Sequence, residues 1–235
     1  MSKNIIIFGA SGSIGGSLLE WFSSKDFTIY AISRNDNLKG NKNNIKWIKL
    51  NTLIDSPFTD LIGNKEIDSI VWAQGENITD SIYNFNKKKF ESLIYTNITY
   101  ILETLNILIK NEKLKPNVKI CIISSIWQNL AKQDKLSYTI SKSAIKGLVS
   151  SLAIDLGADG ALINAVLPGV LDTPMTKKNL SKEQINNIKN LTPLNKLPSL
   201  EDVANIVGFL CSDENTGMTN QFITVDKGFS NARII

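Results

Sequence analysis

Seven short apolar runs are spaced along this chain, and they constrain its fold more than any other feature. They are Asn4–Phe8, Phe27–Ile32, Ile45–Leu50, Asp68–Ala73, Val118–Ser124, Ala161–Leu167 and Gln221–Asp226. Several are solid Ile, Val and Leu. A strand reads that way when both its faces are buried, as in a parallel sheet covered by helices on each side. Helix-period segments at Ser13–Ser24, Lys87–Lys110, Ser137–Gly157 and Leu200–Ser212 lie between the runs. Strands alternating with helices predict an α/β fold with a doubly wound parallel sheet of about seven strands.

The 235 residues fit one domain over positions 1–235 with an ample core. No repeat or linker-like stretch interrupts it. The connection Asn35–Asn44 is rich in Asn, Gly and Lys, with Leu38 its only apolar residue. A parallel crossover needs about a dozen residues, usually helical, so a reduced or absent helix is expected between strands 2 and 3. The stretch Asn51–Lys65 has room only for a short helix around Phe58–Ile62.

After the first run comes Gly9-Ala10-Ser11-Gly12-Ser13-Ile14-Gly15-Gly16. A Gly-rich turn between a strand and a helix brings backbone N–H groups close to a pyrophosphate. The helix start then adds its partial positive charge. This context points to dinucleotide binding and a Rossmann-like sheet, with Gly9, Ser11, Gly12, Ser13, Ile14 and Gly15 as contacts. The second strand ends in Ser33-Arg34, with no acid before Asp36. An acid there would suit the ribose hydroxyls of NAD, whereas Arg suits the 2′-phosphate of NADP. NADP(H) is therefore the preferred cofactor, with NAD(H) the alternative. Asn51, after the third strand, is placed to hydrogen-bond the adenine.

The chain contains no histidine. That excludes a Ser-His-Asp triad, a Cys-His nucleophile and a His-ligated zinc site, and no metal is expected. Tyr138 and Lys142 stand four apart, on one face of a helix. A phenol titrates near 10, and a fixed lysine cation beside it lowers that value. Such a pair supplies acid–base chemistry without imidazole. Tyr83 and Lys87 share the spacing, but they lie in a polar stretch and read as a solvated helix entry. Tyr138 instead follows an apolar strand ending in Ser124-Ser125.

With these features in their order, the chain resembles the short-chain dehydrogenase/reductases over essentially its whole length. The Gly9–Gly15 turn, Asn97, Ser125, Tyr138 with Lys142, and Asn164-Ala165-Val166-Leu167-Pro168-Gly169 carry the resemblance. It implies that Tyr138 is the general acid of carbonyl reduction and the base of the reverse reaction. It also implies that Lys142 tunes Tyr138 and holds the nicotinamide ribose, Ser125 binds the substrate oxygen, and Asn97 helps hold a proton-relaying water. Pro168, Gly169, Val170 and Thr173 would place the nicotinamide, and Ala73, Gln74 and Gly75 would border the cofactor. Departures from the family pattern are Phe8 for a usual Thr and Ser13 for a usual Gly, with Gly12 beside it. Trp72-Ala73-Gln74-Gly75 stands for Asn-Asn-Ala-Gly. Thr219-Asn220-Gln221 and Asp226-Lys227-Gly228 each lack a usual glycine.

A substrate lid is expected over Leu171–Leu197. Its start, and Ser212-Asp213-Glu214, look most like 3-oxoacyl-acyl-carrier-protein reductases within the family. Lys177 or Lys178, and Lys113 with Lys115, occupy places that would suit an acidic carrier. Pocket candidates are Ser125, Trp127, Gln128 and Met175, with Gln74 and Glu76 beside them; the same set would suit a sugar or polyol. A silent dinucleotide sensor is the alternative outside catalysis. The net charge of +4, from 26 Lys+Arg against 22 Asp+Glu, is spread out and falls short of a nucleic-acid footprint. Cys121 and Cys211 read as small buried hydrophobes in a reducing compartment. The first apolar run is too short for a signal or membrane segment, so a cytoplasmic protein is expected. The resemblance implies a homodimer or homotetramer paired through the two long helices, Lys87–Lys110 and Ser137–Gly157; both carry more apolar positions than one buried stripe needs, consistent with a second contact face.

Overall fold

The computed structural model describes residues 2–34, 42–50, 58–173, 176–177 and 180–232. Seven strands form one sheet: β1 Lys3–Phe8, β2 Phe27–Ser33, β3 Ile45–Lys49, β4 Ile67–Trp72, β5 Leu114–Ile123, β6 Leu162–Pro168 and β7 Phe222–Val225. Their order is 3-2-1-4-5-6-7 and every pairing is parallel. This is the expected Rossmann-like arrangement. The strand order reverses between β1 and β4, where a crevice opens at the carboxyl ends of the strands.

The helices are α1 Ser13–Ser23, α2 Phe58–Ile62, α3 Lys87–Ile94, α4 Tyr100–Lys110, α5 Leu136–Asp155, α6 Lys182–Asn190 and α7 Leu200–Leu210. They explain the solid apolar strands. Ile6 and Phe8 of β1 pack with Leu105 and Leu108 of α4 and Val149 of α5. Ile5 and Ile7 point the other way, into a cluster with Leu18 and Phe22 of α1 and Val203 and Val207 of α7. Each such side chain contributes about 1.5–3 kcal/mol on burial, so neither face tolerates a polar alternation.

One expectation needs adjustment. The segment Lys87–Lys110 is not one regular helix, because a π-helical turn at Tyr95–Thr99 separates α3 from α4. The expected lid contains a helix of its own, α6, opened by a capping box between Ser181 and Gln184. The expected reduced helix between β2 and β3 falls largely on residues 35–41, outside the described residues. The short α2 lies where the sequence put it.

Two departures from the family pattern prove to be one structural unit. Phe8 and Trp72 are register partners across β1 and β4. Their rings stack at 5.4 Å between centroids, 2° from parallel, and Tyr100 meets Phe8 edge-on at 5.8 Å. The indole N–H of Trp72, fully buried, donates to Thr104 Oγ1 at 3.0 Å. An aromatic stack thus takes the place of a polar strand tie. At the two missing glycines the left-handed backbone survives without them: φ is +54° at Asn220 and +60° at Lys227. Asn accepts this region more readily than most residues. Lys227 is held there by an ion pair from Nζ to Asp202 at 2.7 Å.

Candidate active site

The Gly-rich turn is built too tightly for side chains. Gly9 has φ +74°, and a Cβ on it would sit 2.5 Å from the Gln74 backbone nitrogen. A Cβ on Gly15 would sit 2.2 Å from the Gly9 carbonyl oxygen. Gly12 donates its N–H to that same oxygen at 3.0 Å and starts α1 without a side-chain cap. The N–H groups of the first turn of α1 therefore lack a side-chain acceptor and are directed at whatever binds there. Ile14 packs its side chain into the apolar cluster beneath α1, so its backbone is what it offers a ligand. An open cleft of about 490 Å³ lies here, lined by Ser11, Gly12, Ser13, Ser17 and Asp172 among others.

At the end of β2 the Ser33 hydroxyl donates to Ser11 Oγ at 2.8 Å. Arg34 beside it is exposed. Burial raises the Tyr100 phenol well above its ordinary value, and the nearby Arg34 cation opposes that rise. On the other side of the turn, neither amide atom of Gln74 has a hydrogen-bond partner among the described residues, although both are buried. A glycine cradle, a helix start, two hydroxyls with a cation and an unsatisfied buried carboxamide fit a dinucleotide. Ala73 ties β4 to β1 through its N–H, which reaches the Phe8 carbonyl at 3.0 Å.

Beyond the end of β5, Ser125 meets Tyr138 of α5. The Ser125 hydroxyl is near enough to favour the phenolate of Tyr138, and Ser125 Oγ accepts from the Trp127 N–H at 3.3 Å. One turn further along α5, Lys142 is 4% exposed. Its Nζ donates to the Ile123 carbonyl at 3.0 Å and lies 5.8 Å from the centre of the Tyr138 ring. Gly75 borders both groups: a Cβ on it would be in ordinary van der Waals contact, 3.6 Å from Asn97 Oδ1 and 3.7 Å from Lys142 Nζ. The site draws on β4, the π turn, β5 and α5, residues far apart in sequence. Tyr83, which shares the spacing, is 97% exposed.

The electrostatics differ from the sequence expectation in one respect. Lys142 was expected to draw the Tyr138 phenol down. Burial instead raises it, and the opposing influence is the bond from Ser125. Burial also lowers Lys142 itself, to about 8. Both groups lose water together, so each charged form is disfavoured.

Asn97 owes its inward aim to the π turn, since one extra residue in a helical turn re-aims the side chains there. Its Oδ1 accepts from the Glu76 N–H at 2.8 Å. Its Nδ2 donates to the Glu76 carbonyl at 3.1 Å and to Ser141 Oγ at 3.0 Å. Ser141 Oγ in turn donates to the Tyr138 carbonyl at 2.8 Å.

The other candidates divide. Trp127 is half-buried with the Lys132 ammonium 5.8 Å from its ring centre. Gln128 is buried and accepts from Ser124 Oγ through Oε1, while its Nε2 has no partner among the described residues. Glu76 does not face the pocket, because its carboxylate accepts from Ser92 Oγ and Thr96 Oγ1 on the neighbouring helix. Pro168 ends β6, Gly169 donates to the Val225 carbonyl at 2.9 Å, and Val170 follows half-buried. Thr173 is buried, with Oγ1 accepting from the Thr176 N–H. Asn51, Met175 and Lys178 lie outside the described residues.

Lys177 pairs with Asp172 at 2.8 Å, and Lys115 with Asp68 at 2.7 Å. Lys113 donates to the Gly63 carbonyl. Lys113 and Lys115 stand at the start of β5, opposite the end that carries Ser125. Cys121 and Cys211 are free and buried. They also meet: the interaction with Cys211, which favours the protonated Cys121, and then burial hold the Cys121 thiol well above its usual range.

Three residues escaped the sequence reading: Asp80, Ser137 and Ser141. The one available signal was Lys135, a poor capping residue immediately before an important helix.

Comparison with known proteins agrees with this geometry. A family profile described as "Enoyl-(Acyl carrier protein) reductase" matches residues 62–230. A 3-oxoacyl-[acyl-carrier-protein] reductase of Buchnera aphidicola is 27% identical over 238 residues, covering 96% of each chain. A short-chain dehydrogenase family protein of Francisella tularensis superposes with a TM-score of 0.88 at 25% identity, covering 99% of this chain and 100% of that one. The protein ElxO, solved with NADP bound, superposes with a TM-score of 0.83 at 25% identity, with 99% and 100% covered.

Proposed function

Since the chain belongs to the short-chain dehydrogenase/reductases and is an oxidoreductase, we propose that it interconverts a carbonyl and a secondary alcohol using NADP(H). The observation that carries this reading is the meeting of Ser125 and Tyr138, with buried Lys142 one helical turn away and its Nζ 5.8 Å from the Tyr138 ring centre. Two hydroxyl donors meeting at one point suit a carbonyl oxygen, which has two lone pairs to accept them. When bound, the cofactor supplies the hydride. The protein's own part is then to place the substrate and move one proton. Ser125 orients the carbonyl, Tyr138 gives its phenolic proton to the oxygen as charge develops there, and Lys142 is the nearest cation to the resulting phenolate. Asn97, held on Glu76 and Ser141, fixes the floor beneath Lys142. No imidazole competes for the proton-transfer role, because the chain contains none.

NADP(H) rather than NAD(H) is supported by Arg34 and by the Ser11 and Ser33 hydroxyls, with no acid at the end of β2. ElxO with NADP bound adds a precedent on the same fold. For the substrate we assign a 3-oxoacyl thioester, supported by the name of the Buchnera relative. Among the described residues, Lys113, Lys115 and Lys177, expected to read an acidic carrier, are engaged within the chain, so we assign the acyl thioester as the recognised part. A keto-sugar is the second reading, favoured by the unpartnered buried Nε2 of Gln128 beside Ser125. Exposed Tyr95, Leu102, Ile109, Ile140 and Ile154 support pairing of copies through the long helices. Two free thiols suit a reducing, cytoplasmic setting.

The test is NADPH consumption against 3-oxoacyl thioesters, diketones and keto-sugars, with NADH in parallel. Turnover that survives Tyr138→Phe overturns the mechanism, and a preference for NADH overturns the reading of Arg34. Binding of NADPH with no turnover of any carbonyl would favour the sensor alternative.

A further inference from the structure

Helix α5 carries Tyr138 in its first turn, yet it begins without a cap of its own. The residue before it, Lys135, provides no side-chain cap to the helix, and its first turn contains no acid. An uncapped start leaves backbone N–H groups unsatisfied and frays first. Here the missing acceptor arrives from a distant segment. Asp80, 5% exposed, accepts the Ser137 N–H through Oδ1 at 3.0 Å, and its Oδ2 accepts the Ser137 hydroxyl. The backbone joins in: the Leu136 N–H donates to the Asp80 carbonyl and the Asp80 N–H to the Asp134 carbonyl, each at 3.2 Å. Lys135 Nζ then reaches back to Asn77 Oδ1 at 3.0 Å and Thr79 Oγ1 at 3.1 Å.

The same short segment is clamped at its other end, where Asn97 holds both the N–H and the carbonyl of Glu76. Residues 76–80 therefore form a strap between the π turn and the start of α5. Tyr138 sits between two buried serines, Ser137 and Ser141, and each is tied to one end of that strap. The phenol must stay in hydrogen-bond range of Ser125, and a small rotation of the first turn would break that contact. Lys142 lies one turn deeper and is held separately by the Ile123 carbonyl.

We propose that Asp80 is the positioning residue for Tyr138, capping α5 from outside the helix so that the phenol remains aimed at Ser125. It touches neither substrate nor cofactor and acts only through Ser137. The proposal rests on the reading of Tyr138 as the proton donor.

Asp80→Ala, Asp80→Asn and Ser137→Ala are compared with the parent by kcat and KM for the carbonyl substrate, NADPH binding by fluorescence, and amide hydrogen exchange without ligand. A displacement of about 1 Å at the reacting group lowers kcat by up to about a hundredfold. Asp80→Ala should therefore lose tenfold or more in kcat with NADPH affinity unchanged, and exchange should quicken at residues 136–139 alone. Asn retains an acceptor for the Ser137 N–H, so Asp80→Asn should recover most of kcat, with Ser137→Ala intermediate. An unchanged kcat in Asp80→Ala, or a kcat in Asp80→Asn no better than in Asp80→Ala, overturns the proposal. So does faster exchange spread over the whole chain. If Asp80→Ala fails to fold, the Asn and Ser137 variants decide by the same criteria. A parent that turns over no carbonyl refutes the functional reading instead; exchange at residues 136–139 then decides whether Asp80 positions the phenol.

Discussion

Replacing Lys142 by Met should make the protein more stable and inactive at once. Burial lowers Lys142 from 10.5 to about 8. The unfolded chain keeps the higher value, so between these two pH values it binds more protons than the folded chain. Stability therefore rises with pH across that window, is complete above 10.5, and is lost as pH falls through 8. At neutral pH the folded state bears the full penalty of the buried cation. A shift of about 2.5 units at 1.36 kcal/mol each is about 3 kcal/mol. Methionine removes that penalty and keeps most of the volume, but it forfeits the hydrogen bond to the Ile123 carbonyl, about 1 kcal/mol. The net gain near pH 7 should be about 2 kcal/mol. Urea unfolding of parent and Lys142→Met, both without cofactor, measures it at pH 7 and again near pH 10.5. At the higher pH the gain should vanish and the lost hydrogen bond should leave the variant the less stable. A variant less stable than the parent at pH 7, or a gap that ignores pH, would refute the reasoning. Stability lost to an active-site charge in this way is a common exchange between folding and function.

Other expectations follow from single contacts. Thr104→Val strands the fully buried indole N–H of Trp72 and should cost about 1–3 kcal/mol in chemical denaturation. Gly9→Ala forces a side chain onto the Gln74 backbone at φ +74°; it should lose at least about 1–2 kcal/mol and most NADPH affinity by titration. Gln74→Ala removes a buried carboxamide that has no partner among the described residues. It should leave the melting temperature unchanged or raised, while NADPH affinity by calorimetry falls about tenfold, the equivalent of one hydrogen bond. A melting temperature that falls instead would show that the amide serves the fold and not the ligand.

What the sequence reveals and what it hides divide along the range of the interactions. The strands are legible in runs such as Ile5-Ile6-Ile7-Phe8 because burial on both faces demands apolar residues at every position. The turn at Gly9–Gly15 and the Tyr138–Lys142 spacing are local and equally legible. The π turn is not, because nothing in Tyr95–Thr99 breaks a helical period; only the demand that Asn97 reach Glu76 and Ser141 explains it. Asp80 and Ser137 lie 57 residues apart, so a cap rule confined to neighbouring positions cannot find it. The rise of the Tyr138 phenol escaped for a related reason. Its sign depends on how deeply phenol and ammonium are buried, which spacing does not contain. Phe8 and Trp72 look like two losses in sequence and become one gain only when β1 lies against β4.

That pairing also has a consequence for the protein's birth. Of the seven strands β1 leaves the ribosome first, yet it occupies an interior position of the sheet, with β2 on one side and β4 on the other. Phe8 must wait for Trp72, 64 residues later, which at synthesis rates of about 5–20 residues per second is roughly 3–13 s. Throughout that interval the run Ile5-Ile6-Ile7-Phe8 has an open edge of unpaired N–H and carbonyl groups, with apolar side chains above and below. Such a segment is a template for pairing with another chain. The nascent chain is therefore at its most adhesive well before its active site exists, and a holdase acting on the stretch from β1 to β4 as it emerges should improve its yield more than one acting on the finished chain.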